Sequence, residues 1–269
     1  MIAALIVPAL PNIGEDIAGA VFRWIHIVAG VIWIGHLYFF NFVNAQVAKT
    51  YDADSKKKVV PELMPRALYW FRWGAVWTWV TGVLLLGMVY YMGGALVDAD
   101  STMTPAIGSV IGIGSLFVGF ALYDALWKSP LAKQAQVAAV VSLVLLTAMS
   151  WGLSRVFSQR AVFIHVGAIL GTIMAANVWM RIWPSQRKII AAIKAGQAPD
   201  AAIVGLAGLR SRHNTFMSIP LLLFMVSNHY PTVFAMDFAW VVAMGFVVAG
   251  FGISMWLFKK SAAPSTTQF

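Results

Sequence analysis

The sequence of 269 residues contains no cysteine. This absence excludes disulfide bonds, zinc–thiolate sites, iron–sulfur clusters and covalently attached c-type haem, which requires a C-x-x-C-H motif. Histidine and methionine are therefore the side chains left to bind a redox metal. Because the chain has only five histidines, few positions can contribute an imidazole to such a site.

Charged residues are also scarce. They make up 11% of the chain, against 60% hydrophobic residues, and the mean hydropathy is +0.78. A soluble domain has about 25% charged and 45–50% apolar residues, and several runs here reach the ~20 apolar residues that cross a bilayer as a helix. The sequence therefore predicts an all-α, polytopic membrane bundle. The net charge of +9 lies mostly in the loops, where it orients the chain, and we expect no nucleic-acid partner.

Apolar runs predict about seven transmembrane helices. They cover residues 17–46, 67–92, 105–127, 134–154, 160–182, 213–229 and 237–258. Lysine and arginine concentrate in alternate loops, which predicts an N-terminus outside and a C-terminus inside. The basic segment 183–212 predicts short interfacial helices on the cytoplasmic face. We expect one transmembrane domain, 1–260, followed by a cytoplasmic tail, 261–269.

Two histidines fall at comparable predicted depth on different helices. Ionisable groups inside a membrane tend to face the bundle interior and to serve function. His26 lies in the first span and His165 in the fifth, so we interpret them as the two axial ligands of a b-type haem iron. The alternative is that each histidine only forms hydrogen bonds between helices. Asn177, also in the fifth span, predicts a further polar contact.

The remaining histidines and one arginine have less specific surroundings. His36 lies ten residues after His26, about 15 Å along a helix, so the two cannot bind the same metal. His36 and His213 favour polar-network roles, with a second haem or a substrate or proton path as the alternative. His229 caps a helix end or contacts a substrate. Arg23 either reaches towards the membrane surface or pairs with an anionic group.

Three stretches resemble one known family. They are HIVAGVIWIGHLYFFNFVN at 26–44, HVGAILGTIMAANVWMRIWPSQRKI at 165–189 and RSRHNTFMSIPLLLFMVSNHYP at 210–231. They resemble the membrane domain of bacterial membrane-integral urate oxidases, also called urate hydroxylases. The resemblance spans about residues 20–258. It implies a bacterial cytoplasmic-membrane enzyme that converts urate to 5-hydroxyisourate and passes electrons towards the respiratory chain. Family members carry a fused C-terminal cytochrome c, which is lacking here, so the resemblance implies a separate cytochrome c or another respiratory acceptor.

The resemblance also implies a site for a small anionic purine. A planar anion needs a cation, amide hydrogen bonds and an aromatic face. The candidate sets are Arg212, His213 and Asn214 on the inner side, and Arg23, Asn228 and His229 on the outer side. His213 and His36 are the candidate catalytic bases, and electrons would leave through haem b between His26 and His165.

Two other functions remain open from the sequence. One is a b-type cytochrome subunit that transfers electrons without a substrate of its own. The other is a proton-coupled anion transporter, in which the histidines carry protons. Whether the protein forms a homo-oligomer also stays open.

Overall fold

The computed structural model describes residues 13–98, 101–230, 232, 236 and 238–263. All regular secondary structure within them is helical, which confirms the all-α prediction. The main helices are α1 (Ile13–Tyr38), α2 (Ala53–Leu86), α3 (Pro105–Leu126), α4 (Ala135–Ser154), α5 (Gln159–Asn177), α6 (Trp183–Lys194), α7 (Ala201–Val226) and α8 (Ala239–Ala262). The predicted tail begins inside α8, and residues 264–269 lie outside the described part.

Six helical segments in the described chain are long and apolar enough to cross a membrane. They are Ile13–Val47, Ala53–Tyr91, Pro105–Leu126, Ala135–Ser154, Gln159–Lys194 and Ala239–Ala262. The prediction of a multi-pass helical protein is therefore confirmed. The remaining predicted span, 213–229, falls mainly within α7, which is not among the six. The direction in which the chain crosses the membrane stays a prediction.

Two helices begin earlier than the apolar runs predict, because side chains cap them outside the apolar region. Asp52 precedes α2 and accepts a hydrogen bond from the Ser55 backbone N–H at 2.7 Å, so α2 begins well before residue 67. Asp200 accepts a hydrogen bond from the Ala202 N–H at 2.7 Å at the start of α7. A carboxylate in this position satisfies N–H groups that have no partner within the helix. Since α7 then continues to Val226, the end of the basic segment 183–212 is not a separate short helix but the beginning of the helix that carries most of the predicted span 213–229.

Within the described residues, three π-helical turns interrupt or extend the helices. They are Phe39–Asn44, Gly87–Tyr91 and Val178–Ile182. Such turns insert extra backbone and shift the phase of the side chains, and they are frequent at functional sites. The third turn joins α5 to α6, so Gln159–Lys194 form one continuous helical segment. Whether its basic part lies on the membrane surface stays a prediction.

Helix α5 is the centre of the bundle. In its most apolar window 78% of the residues are buried, against 17–28% for the other five candidate spans. Helices α3, α4, α7 and α8 pack around it, while α1 packs along α2. Close approach of α1 and α2 requires Gly74, where an added Cβ would lie 3.0 Å from the Trp33 backbone nitrogen.

Candidate functional site

One carboxylate and three cations meet near the end of α3. Asp124 Oδ1 accepts from Arg181 Nε at 3.0 Å, and its Oδ2 accepts from Arg181 Nη2 at 2.5 Å. Arg210 Nη2 donates to Asp124 Oδ1 at 3.1 Å, and Lys128 Nζ lies 2.6 Å from Oδ2. We call these four residues and their neighbours Tyr123, Asn177, His213 and Asn214 the Asp124 cluster.

The four charged residues come from three separate parts of the chain that pack together. Lys128 follows Asp124 by one helical turn, Arg181 projects from the π turn after α5, and Arg210 lies on α7. The Arg210 side chain is completely buried, whereas those of Arg181 and Lys128 are 19% and 56% exposed. With its ionisable groups in their usual charge states, the cluster carries more positive than negative charge. A buried cation needs nearby compensation, and Asp124 supplies only part of it.

Amide and phenol groups continue the cluster. Asn214 Nδ2 donates to the Met174 carbonyl at 2.9 Å, and this fixes which end of the Asn214 amide is the oxygen. That oxygen accepts from Asn177 Nδ2 at 2.9 Å, and the same Nδ2 donates to the Tyr123 hydroxyl at 3.0 Å. Because Tyr123 accepts from Asn177, its own proton is available for His213 Nδ1, 2.8 Å away. The network therefore fixes the orientation of every group in it.

Three buried atoms of the cluster have no hydrogen-bond partner among the described residues. They are Nε and Nη1 of Arg210 and Oδ1 of Asn177, three of seven such side-chain atoms in the described chain. Leaving a buried donor or acceptor unpaired costs about 1–3 kcal/mol. The guanidinium carbon of Arg210 lies 5.0 Å from the centroid of the Tyr123 ring. The cluster thus offers two donors and one acceptor beside an aromatic ring.

A second polar cluster surrounds His165. Its Nδ1 donates to the Ala161 carbonyl at 2.7 Å, so its Nε2 accepts from the Tyr91 hydroxyl at 3.1 Å. Gly112 packs directly against this hydrogen-bonded pair, because an added Cβ would lie 2.8 Å from the Tyr91 oxygen and 2.9 Å from His165 Nε2. The ring of Phe157 packs against the imidazole at 4.6 Å between centroids. Asn177 follows His165 by twelve residues on α5, about 18 Å along the axis, so the two clusters are separate.

The two histidines predicted to bind haem have different surroundings. His26 is half-buried against α2, with its Nδ1 3.1 Å from the Thr81 hydroxyl. Among the described residues, His26 and His165 share no hydrogen-bonding or ring-contact partner. Both ring nitrogens of His165 are hydrogen-bonded in this arrangement, so Nε2 would have to give up its bond with the Tyr91 hydroxyl to bind an iron. Haem binding by this pair stays a prediction.

The predicted outer substrate set is not gathered in one site. Arg23 and His229 are exposed. Asn228 instead lies beside the second cluster. Its Oδ1 accepts from the Tyr90 hydroxyl at 3.0 Å, and the centroid of the Tyr90 ring lies 6.1 Å from that of His165. His36 lies in an apolar groove between α1 and α2, and its Nδ1 donates to the Ile32 carbonyl at 2.7 Å.

The predicted inner set is brought together except for its arginine. His213 and Asn214 both belong to the Asp124 cluster, and Asn177 makes the polar contact that its position in the fifth span predicts. Arg212 is exposed, with its guanidinium carbon 5.2 Å from the Phe258 ring centroid. Arg210 is the buried arginine of this segment.

Five members of the cluster were not predicted from the sequence: Tyr123, Asp124, Lys128, Arg181 and Arg210. A signal existed for Arg210 and for Asp124. Residues three and four apart share a helix face, so the helical position of His213 and Asn214 selects Arg210 over Arg212. Asp124 is the only acidic residue between positions 101 and 199, and it lies at the end of an apolar helix. An isolated carboxylate there calls for a buried cation as its partner.

Apolar helices arranged around a buried ionic and amide centre define a multi-pass helical membrane protein with a polar interior. The family model described as Urate oxidase N-terminal matches residues 50–269. The chain belongs to this family, as the sequence motifs predict. The matched region contains the whole Asp124 cluster, whereas His26 and His36 precede it. No curated protein and no solved structure shows a significant match to this chain.

Proposed function

We propose that this protein oxidises urate and that the Asp124 cluster binds the urate anion. The observation that carries the proposal is the unpaired, fully buried side of the Arg210 guanidinium in a cluster with excess positive charge. An anion there would complete the charge balance and the hydrogen bonds together. Membership of the urate oxidase N-terminal family supports urate as that anion.

The reaction balances with water as the oxygen source. The urate monoanion and one water molecule give neutral 5-hydroxyisourate, one proton and two electrons. A C–O bond forms at C5 of the purine, the water oxygen becomes the new hydroxyl, and no other bond of the ring breaks. The two electrons pass to a respiratory-chain acceptor, such as two molecules of oxidised cytochrome c.

Tyr123 and His213 are placed to take protons released in this reaction. The Tyr123 hydroxyl lies 2.8 Å from His213 Nδ1, so a proton accepted by the phenol oxygen can be matched by one passed to the imidazole. General bases act at hydrogen-bond distance from the group that loses the proton. His213 is only partly buried, and it therefore connects the buried phenol with the edge of the cluster.

The test is urate-dependent reduction of an added acceptor. Membranes containing the protein are mixed with urate and oxidised cytochrome c, and the loss of urate is followed together with reduced cytochrome c. We expect two cytochromes reduced per urate consumed, and at least a tenfold lower rate for Arg210→Lys, since lysine keeps the charge but loses the planar donor fork. Arg66→Lys is the matched control, because Arg66 pairs with Glu62 at an exposed surface.

Two results would overturn the proposal. One is wild-type membranes that neither consume urate nor reduce an acceptor with it. The other is Arg210→Lys protein that is present in equal amount and keeps the full rate. Urate uptake into vesicles without oxidation would point instead to a transporter.

A further inference from the structure

Asn177 presents a single open oxygen whose direction is fixed by its other bonds. Its Nδ2 already donates to both Tyr123 and Asn214, and the Asn214 amide is held in turn by the Met174 carbonyl. Rotating the Asn177 amide by half a turn would place its oxygen near the Asn214 oxygen, which is unfavourable. The buried Oδ1 therefore stays a hydrogen-bond acceptor without a partner among the described residues.

Arg210 supplies the complementary groups nearby. Arg210 and Asn214 are four residues apart on α7, so their side chains are neighbours on one helix face. Tyr123 accepts from Asn177 at 3.0 Å, and its ring centroid lies 5.0 Å from the Arg210 guanidinium carbon. Both open groups thus flank the same tyrosine, with donors on the arginine side and an acceptor on the asparagine side.

We propose that Arg210 and Asn177 together recognise one edge of an oxopurine anion. Arg210 Nε and Nη1 donate hydrogen bonds to an oxygen of the ring, and Asn177 Oδ1 accepts a hydrogen bond from an adjacent ring N–H. This inference rests on the proposed function for the identity of the ring as urate. What it adds is which edge of the ring the protein binds. The site selects a ring that carries an unsubstituted N–H beside an anionic or carbonyl oxygen.

Selectivity follows from the fixed Asn177 oxygen. A methyl group on the recognised ring nitrogen removes the donor, leaves the buried oxygen unpaired and adds bulk. Sites built to bind a polar group reject analogues that lack it strongly, because their own buried groups stay unpaired. A simple carboxylate supplies the charge for Arg210 but offers no N–H to Asn177.

The experiment measures binding without turnover. Purified wild-type protein in lipid nanodiscs is dialysed to equilibrium against urate, each of the four mono-N-methylurates and benzoate, with no electron acceptor present. We expect at least one methylurate to bind about tenfold or more weakly than urate, which corresponds to about 1.4 kcal/mol, and benzoate to bind more weakly still.

Two variants separate recognition from folding. Asn177→Ala removes the acceptor oxygen, so we expect urate binding to fall at least tenfold and the affinity ratio between urate and the weakest-binding methylurate to fall towards one. A purely structural role for Asn177 would lower the melting temperature, since both of its donated hydrogen bonds are lost, but would leave that affinity ratio unchanged. Gln159→Ala is the matched control, because Gln159 also has a buried, unpaired amide oxygen on α5 but lies away from the cluster.

The outcomes distinguish this inference from the proposed function. Edge-selective binding of urate without any oxidation would support the recognition edge and overturn the enzymatic proposal. Oxidation of urate, combined with equal binding of urate and all four methylurates, would support the enzymatic proposal and overturn the recognition edge. Absence of urate binding, or an unchanged preference for urate over the methylurates in Asn177→Ala, would overturn the recognition edge.

Discussion

Replacing Asp124 by asparagine is expected to destabilise the protein more than removing any exposed charge. The side chain of Arg210 is completely buried and its only ion pair among the described residues is with Asp124, at 3.1 Å. Removing one partner of a buried ion pair typically costs about 3–5 kcal/mol, because the other charge stays buried without compensation. Lys128, with 56% of its side chain exposed, can return to water and adds at most about 1 kcal/mol. The burial of Arg210 therefore determines how much the free energy of unfolding falls in Asp124→Asn.

Glu62→Gln gives the matched control for this change. Glu62 pairs with Arg66 at 3.1 Å, and their side chains are 74% and 78% exposed, so the loss should be about 0–1 kcal/mol. Unfolding of each variant in detergent micelles can be followed by the fluorescence of the twelve tryptophans. Replacing Arg210 by methionine in the Asp124→Asn background should recover part of the loss, since it removes the uncompensated charge. If Asp124→Asn and Glu62→Gln unfold at the same temperature, Arg210 is not buried as the structure places it.

Three other changes test separate parts of the molecule. Gly112→Ala would place a Cβ 2.9 Å from His165 Nε2, whereas the Cβ of Gly114→Ala meets no atom within 4 Å. We expect the free energy of unfolding to fall by about 1–3 kcal/mol for Gly112→Ala only. Equal melting temperatures for the two variants would contradict the packing of the second cluster. Haem binding predicts a Soret band that shifts on reduction, with less haem in His26→Ala and His165→Ala; a purified protein without that band would refute it. The N-cap hydrogen bond lowers the pKa of Asp52 from its usual 3.8, so its stabilising effect exists above that pH and is lost as the pH falls through the lowered value. Asp52→Ala should therefore unfold more easily than wild type at pH 6 but not at pH 2, and an equal difference at both would contradict the cap.

The helical fold was predictable because its signal is spread over many residues. Runs of about 20 apolar residues located the six candidate spans, and no single residue decides such a run. The helix ends were less predictable, since Asp52 and Asp200 begin their helices outside the apolar runs. The π turns were not visible at all, because one extra residue in a turn shifts the phase of the later side chains without changing the composition of the helix.

The site was predictable only where a residue type itself marks it. Histidine is rare here, and the search among five positions found His213, with Asn214 beside it. Arg212 was predicted because it adjoins His213 in the segment RSRHN, whereas helical phase places Arg210 and Arg212 on different faces of α7. Asp124 was missed because a single carboxylate forms no motif with its neighbours in the sequence, and its role appears only when Arg181 and Arg210 approach it from other helices.

Helix α7 shows why apolarity and enclosure differ in this bundle. It is not among the candidate spans because residues such as Arg210 lower its mean hydropathy, yet Arg210 and Asn214 have no exposed side-chain surface. A helix that faces other helices instead of lipid can carry polar groups, provided that neighbouring helices satisfy them. Asp124 accepts a hydrogen bond from one side of the Arg210 guanidinium, and Asn177 donates one to Asn214. The other side of Arg210 has no hydrogen-bond partner among the described residues, so the polar groups that keep α7 out of the candidate membrane spans are the same groups on which the proposed anion site depends.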